Sequence, residues 1–413
     1  MQSASAVDVI AVGKAAGVMW KAFADALPRP IRTSIGIGPQ RPARVPEGAE
    51  WHQAGHPIPD AGSVAAARRA LDIVSAAGGT DVIVVLLSGG ASSLMALPVD
   101  GVTLAGKQDA VRRLLLRGAT IDELNTVRKH LSAIKGGQLA AATAGSVITL
   151  AVSDVVGDDL SVIGSGPTVP DPSTFVAALG VLDLRGGRDG YPPDVVAWLQ
   201  RGASGAIPDT PKPDDPRLTR SRARIIGGRM TAVDGAAEAA RSRGYDVHVL
   251  NEAIVGEARN TARSFAATVR AVLTSAARPA CVIGSGETTV HVRGNGLGGR
   301  NQEFALALVP LLADLVAESP PRPRGAAPWP GLHGGGSDVA VASIGTDGVD
   351  GPTDAAGALV DSTTHDRAAA MGLAPAQFLD NNDSYHFFSA LDDLIRTGPT
   401  GTNVGDLQVV LIA

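Results

Sequence analysis

Short runs of β-branched apolar residues alternate along the chain with alanine-rich segments of helical period. Val7–Val12 reads as a strand, followed by Gly13-Lys14 and a helix through Ala26. Val82–Leu87 reads as a strand ending in Ser88-Gly89-Gly90, and Val147–Val152 as one ending in Ser153-Asp154. Arg224–Ile226 and Val247–Leu250 follow, with a predicted helix over Thr231–Arg243 between them. Strands that are apolar throughout, each separated by a helix, predict a parallel sheet covered on both faces. A second group of predicted strands comprises Ala280–Ile283, Thr289–Val292, Val339–Ile344 and Leu407–Ile412. Ala203–Arg217 and Pro320–Gly336 read as loops rich in breakers. A domain boundary is expected between residues 230 and 280.

Composition narrows the class. The 413 residues are too many for one ordinary core. Aromatics make up only 3% of them, so the cores must be aliphatic. A net charge of −5, with no basic stripe, gives no case for nucleic-acid binding. Cys281 is the single cysteine, which excludes an intrachain disulfide and a cysteine-cluster metal site. The histidines lack zinc-ligand spacing, and no apolar stretch is long enough to span a membrane. A cytoplasmic enzyme fits these bounds.

Ligands of open α/β sheets bind outside the carboxyl ends of strands. The polar residues found there are Lys14, Ser88-Gly89-Gly90, Asp154, Ser285-Gly286-Glu287-Thr288 and Thr346-Asp347-Gly348. Together they form an inventory for handling phosphate, because a lysine and helix-terminal N–H groups hold anionic oxygens. Ser88-Gly89-Gly90-Ala91-Ser92-Ser93 reads either as an anion cradle or as a capped strand-to-helix turn.

Arg293–Arg300 carries glycines at 294, 296 and 299, which formally match G-x-G-x-x-G. The ribose-binding acid of a dinucleotide fold should then follow a strand, whereas the nearest acid, Asp314, falls on or just after a predicted helix. A phosphoryl loop with Arg300 as its charged arm is the preferred reading; a plain flexible connection is the alternative. Asp347, Asp350 and Asp354 do not fit an EF-hand. Asp347 reads as a carboxylate near a Mg²⁺-nucleotide, and Asp350 and Asp354 as turn caps. The polar stretch from Asn125 to Gly137 is either a solvated face or a helix end beside a ligand. Ser165-Gly166-Pro167-Thr168 reads as a tight turn that could face a ligand. Neither a G-x-S-x-G elbow nor a Walker motif is present.

Several long segments carry a resemblance. VGKAA at 12–16, AGHPIPD at 54–60, LLSGGASSLMALP at 86–98 and ELNTVRKHLSAIKGGQLA at 123–140 come first. SDVVGDDLSVIGSGPTVPDPST at 153–174, GETTVHVRGNGLGGRNQEFALAL at 286–308, TDGVDGPTDAAGALVD at 346–361 and GPTGTNVGDL at 398–407 follow in order. The sequence resembles the MOFRL-type (class II) glycerate 2-kinases over nearly its whole length.

The resemblance implies a larger Rossmann-like three-layer α/β/α domain with a parallel sheet over 1–240. A smaller α/β C-terminal (MOFRL) domain would occupy 241–413, with the site in an interdomain cleft. It implies transfer of a phosphoryl group from ATP, with Mg²⁺, to D-glycerate, giving 2-phosphoglycerate. Lys14, Arg300 and Asp154 match catalytic positions. Ser88, Gly89, Gly90, Ala91, Ser92, Lys135, Asn301 and Glu303 match substrate or phosphate positions. Ser165, Gly166, Pro167, Thr168, Gly296, Gly298 and Gly299 are assigned to the nucleotide, and Asp347 to the metal. No nucleic-acid or membrane partner is implied, and a homodimer is the assembly considered.

Three departures from the family pattern stand out: a shorter N-terminus, a local insertion over Pro320–Ser337, and Ser285 in place of a usual glycine. The alternative function is an NAD(P)H-dependent hydroxypyruvate reductase using the 294–299 glycines.

Overall fold

A computed structural model of the chain describes residues 4–45, 48–312 and 339–412. It contains two compact units, which divide at Gly227/Gly228.

The first unit is built on β1 (Val7–Val12), β2 (Thr33–Gly38), β3 (Glu50–Gln53), β4 (Val82–Leu87), β5 (Ser146–Val152) and β6 (Ser221–Gly227). All neighbours pair in parallel, in the order β3-β2-β1-β4-β5-β6. Every residue of β1 and β4 is buried. Alternate side chains serve opposite faces of the sheet. Val7, Val9 and Ala11 pack with Trp20 of α1 (Ala16–Ala26), whereas Ile10 and Val12 pack with Ala66, Ala67 and Ala70 of α2 (Ala61–Ala76). An uninterrupted apolar run is what such two-sided cover requires. α2 opens with a capping box: Asp60 accepts from the Ser63 N–H at 2.8 Å, and Ser63 accepts from the Asp60 N–H at 3.0 Å. After β4 come the short α3 (Ala91–Leu94), α4 (Leu104–Leu116), α5 (Ile121–His130) and the short α6 (Gln138–Ala141). α4 and α5 form a separate apolar cluster with α7 (Phe175–Leu184) and α8 (Pro193–Ala203).

The second unit carries a mixed sheet. Its strands are β7 (Asp246–Val249), β8 (Ile254–Glu257), β9 (Ala280–Thr289), β10 (Val339–Gly345), β11 (Gly357–Asp361), β12 (Leu394–Ile395) and β13 (Asp406–Ile412). The order is β12-β11-β10-β13-β9-β7, with β8 also pairing with β9. β7 and β8 run parallel to β9, and β13 lies antiparallel between β9 and β10. The helices α9 (Arg229–Arg241), α10 (Ala258–Leu273) and α11 (Arg300–Leu308) accompany this sheet, and Asn301–Leu308 are buried throughout.

Several expectations shift. The boundary lies before α9 rather than at 240/241, because Val233, Ala237 and Ala240 pack against Cys281 and Ile283 of β9. β7 likewise pairs with β9 and does not extend the first sheet. The strand expected over Thr289–Val292 is instead the end of the longer β9, which stops at Thr289. Ser285 occupies no turn: it is an interior residue of β9, and its Oγ accepts from Arg229 at 2.9 Å. Asp314 and the loop and insertion expected over 320–337 lie outside the described residues.

Candidate active site

In the first unit the strand order reverses between β1 and β4, the point where an open sheet splits its crossover connections and exposes loop backbone. Gly13-Lys14 and Ser88-Gly89-Gly90 follow these two strands. The loops are stitched together. The Lys14 N–H donates to the Gly89 carbonyl at 2.9 Å, and the Ala15 N–H to Ser88 Oγ at 3.1 Å. Gly13 has φ of +125°, and a Cβ there would run into the Ser88 hydroxyl. Ser88 is therefore a buried clasp, not a ligand-facing hydroxyl.

The anion-cradle reading narrows as well. The Ser88 N–H donates to the Val12 carbonyl and the Ala91 N–H to the Ser88 carbonyl. Among the described residues, the N–H groups of Gly89 and Gly90 are the donors that remain. Gly90 is left-handed at φ +84° and begins α3. A Cβ on it would meet His56 Nε2 at 3.1 Å and Lys14 Cγ at 3.5 Å. His56 therefore belongs to this corner. It lies within AGHPIPD, yet sequence reasoning did not single it out.

Lys14 and Asp154 are both half-buried at their strand ends. Ser92 is half-buried as well, and Lys135 is buried. Lys135 Nζ donates to the Ser92 carbonyl at 2.9 Å, Ser92 Oγ at 3.0 Å and the Gly164 carbonyl at 3.1 Å. All three of its donors are thus engaged, and Lys135 braces the loop instead of reaching a ligand. Burial first, then the charges of Lys107 and Arg128, push its pKa well below the usual lysine range.

Asn125, Lys129, His130 and Ser132 are buried too, which excludes a solvated face for this stretch. The 165–168 turn is also engaged inside the unit. Ser165 Oγ meets Ser92 Oγ at 2.9 Å and donates to Asn125 Oδ1 at 3.0 Å. Thr168 Oγ1 pairs with Thr149 Oγ1 at 2.7 Å, and the Gly166 and Pro167 carbonyls accept from Gly137 and Leu139.

In the second unit Arg300 opens α11. Its Nε and Nη2 form a fork onto Asp406 at 2.7 and 2.9 Å, and Nη1 donates to Glu287 at 2.6 Å. Burial opposes its charge, but Asp406 more than compensates and holds the guanidinium pKa above its ordinary value. The side chain remains about one-third exposed (32%), so its charge is both oriented and reachable. Sequence reasoning missed Asp406 as a site residue. The only available signal was an acid placed immediately before an apolar strand.

Asp350 accepts from the N–H groups of Asn301 at 3.0 Å and Gln302 at 2.8 Å. It caps α11 from a distant part of the chain, not the local turn expected for it. Burial pushes its carboxyl up to about 6 against those hydrogen bonds. Asp354 instead accepts from the Tyr385 hydroxyl at 2.8 Å and from Arg396 at 3.2 Å.

Asn301 and Glu303 point their polar atoms into the unit. Asn301 accepts from Ser343 at 2.7 Å, while Glu303 holds Arg259 at 3.0 Å and Asn382 at 2.9 Å. Asn382 in turn accepts from the N–H groups of Arg293 and Gly294. The Asn295, Gly296 and Leu297 N–H groups donate to Asn381 and Asp383. The glycine loop is therefore seated on the 381–383 turn, and the N–H groups from 293 to 297 are not available to a phosphate. Gly298 and Gly299 lie beyond that seat, directly before Arg300.

Asp347 is half-buried after β10, with its Oδ1 accepting from the Val349 N–H at 3.2 Å. Among the described residues there is no cluster of three or more metal-binding side chains. Magnesium commonly takes one or two carboxylates, with phosphate and water completing its shell, and a single strand-end aspartate suits that donor chemistry. A cavity of about 510 Å³ lined by Gly79, Thr80, Ser146 and Arg220 lies at the opposite, amino-terminal ends of the first unit's strands.

Fold and strand ends define a two-unit α/β protein of the anion-handling kind. The family described as a domain of unknown function (DUF4147) matches residues 1–200, and the MOFRL family matches 280–406. The D-glycerate 2-kinase of Thermotoga maritima is 39% identical, covering 98% of this chain and 90% of its own length. The glycerate 2-kinase of Pyrococcus horikoshii is 34% identical, covering 98% and 87%. A crystal structure of glycerate kinase from Thermotoga maritima superposes with a TM-score of 0.83 over 98% of this chain and 91% of that one. The chain belongs to the MOFRL-type glycerate 2-kinase family.

Proposed function

We propose that this protein transfers the γ-phosphoryl group of ATP to the 2-hydroxyl of D-glycerate, forming 2-phosphoglycerate. The observation that carries this reading is one half-buried cation in each unit, Lys14 after β1 and Arg300 at the start of α11. Lys14 stands in the stitched β1/β4 corner, and Arg300 is aimed by Asp406.

Phosphoryl transfer is mostly positioning and charge neutralisation. Lys14 and Arg300 stabilise the charge that develops on the transferred oxygens. The Gly89 and Gly90 N–H groups bind an anionic oxygen. Asp154 orients the attacking hydroxyl and accepts its proton. Gly298 and Gly299 lie along the nucleotide. Asp347 holds Mg²⁺, which supplies charge neutralisation to the ATP phosphates when bound.

No helix among the described residues is long and apolar enough to cross a membrane. The hydroxypyruvate reductase alternative would seat its dinucleotide on the 294–299 glycines, but the Gly294 and Gly296 N–H groups donate to Asn382 and Asn381 instead.

³¹P NMR of the product from ATP, Mg²⁺ and D-glycerate tests the proposal. A resonance of 2-phosphoglycerate is expected; 3-phosphoglycerate, or oxidation of NADH by hydroxypyruvate, would sink it.

A further inference from the structure

The helix α5 carries adjacent cations with opposite surroundings. Lys129 is buried and ion-paired with Asp171 at 3.3 Å. Arg128 is half-buried, and among the described residues it has no hydrogen bond or ion pair. Its neighbours include Lys107 and Lys135, both buried, with amine pKa values that burial lowers. Lys107 bonds to the Leu131 carbonyl at 3.2 Å, and Lys135 to the oxygens described above. Among the described residues none of the three is ion-paired with a carboxylate. One turn before Arg128, the Asn125 amide nitrogen is buried and unpaired. Unpaired buried donors and crowded cations are costly unless an anion answers them.

The cluster is wired to the substrate loop. Asn125 Oδ1 accepts from Ser165 Oγ, which meets Ser92 Oγ, four residues after Ser88. We propose that Arg128, with the Asn125 amide beside it, is a binding residue for an oxyanion of the reactants. That oxyanion is either the carboxylate of the acceptor or a phosphoryl oxygen. The planar guanidinium suits either group through two parallel hydrogen bonds. The inference deepens the kinase reading, and the identity of the reactants rests on it.

The test uses Arg128→Met and Arg128→Lys in the full chain. Thermal melting is measured with D-glycerate, with ATP and with inorganic phosphate, each added separately, and KM is measured for both substrates. Arg128→Met is expected to melt no lower than wild type, since it removes an unanswered charge. It should also lose about tenfold or more in affinity for one reactant, the scale of a charged hydrogen-bonded contact. Arg128→Lys should fall between the two.

A raised KM for D-glycerate alone assigns the carboxylate, and a raised KM for ATP alone assigns the phosphate. If both affinities stay at the wild-type level, or if Arg128→Met melts well below wild type, the proposal is overturned. Wild type that turns over no D-glycerate, yet is stabilised by phosphate only while Arg128 is present, would fail the kinase reading and leave the oxyanion site standing.

Discussion

Among the described residues both units bury carboxylates, but only the first also buries lysines. The first places Lys107 and Lys135 in its interior, bonded to carbonyl and hydroxyl oxygens, with Arg128 close by. The second places Asp350 and Asp406 in its interior, one on a helix end and the other on Arg300. An interior cation without a carboxylate is a cost that an arriving anion can relieve. An interior carboxylate that already grips its partner has a settled task, which here is to fix the direction of Arg300 and the start of α11. One unit therefore presents an unanswered field, and the other a pre-set tool.

The largest effect should come from removing the half-buried cation proposed for catalysis in each unit. Lys14→Ala and Arg300→Ala are each expected to lower kcat about 10³-fold, within the range for groups that stabilise transferred phosphoryl charge. Steady-state assays check this, and near-normal turnover in either folded variant would break the comparison.

Stability against pH sharpens it next, with opposite slopes. Burial pushes Lys107 down to about 7, so between pH 7 and 10 the unfolded chain binds more protons than the folded one. Stability should therefore rise with pH across that window, by about 3 kcal/mol from this group, and Lys107→Met should flatten the rise in urea titrations. Asp350 is raised to about 6, so the folded chain binds more protons between pH 4 and 6.5. Its contribution should fall by about 2 kcal/mol as pH rises through that window, a loss that Asp350→Asn removes. The smallest effect is expected at Ser165→Ala, which breaks the link between Ser92 and Asn125. It should cost about 1 kcal/mol in chemical denaturation.

The first unit was the more legible from sequence. β1, β4 and β5 are apolar runs that stop at short polar or glycine-containing segments, so both the strands and their ends appear locally. β3, with only half-buried or exposed residues, carries no such signal. The second unit hides its logic in long-range pairs. Asp406 answers Arg300 from 106 positions away, and Asp350 caps α11 from 49 positions beyond Asn301. The 294–299 glycines looked like a phosphate motif because small residues serve any close backbone approach. For Gly294 and Gly296 the approach is to the 381–383 turn of the same unit, and for Gly299 it is to Asp350. Lys135 showed the same limit: its charge was visible in the sequence, but the three protein oxygens that engage it were not.

The stitch between Ala15 and Ser88 joins residues 73 positions apart in sequence. A nascent chain cannot make it until β4 has emerged and found β1, since closing so long a loop must precede the contact. The lysine corner is therefore complete only once β1 and β4 have paired, and a half-made or mispaired first unit lacks it.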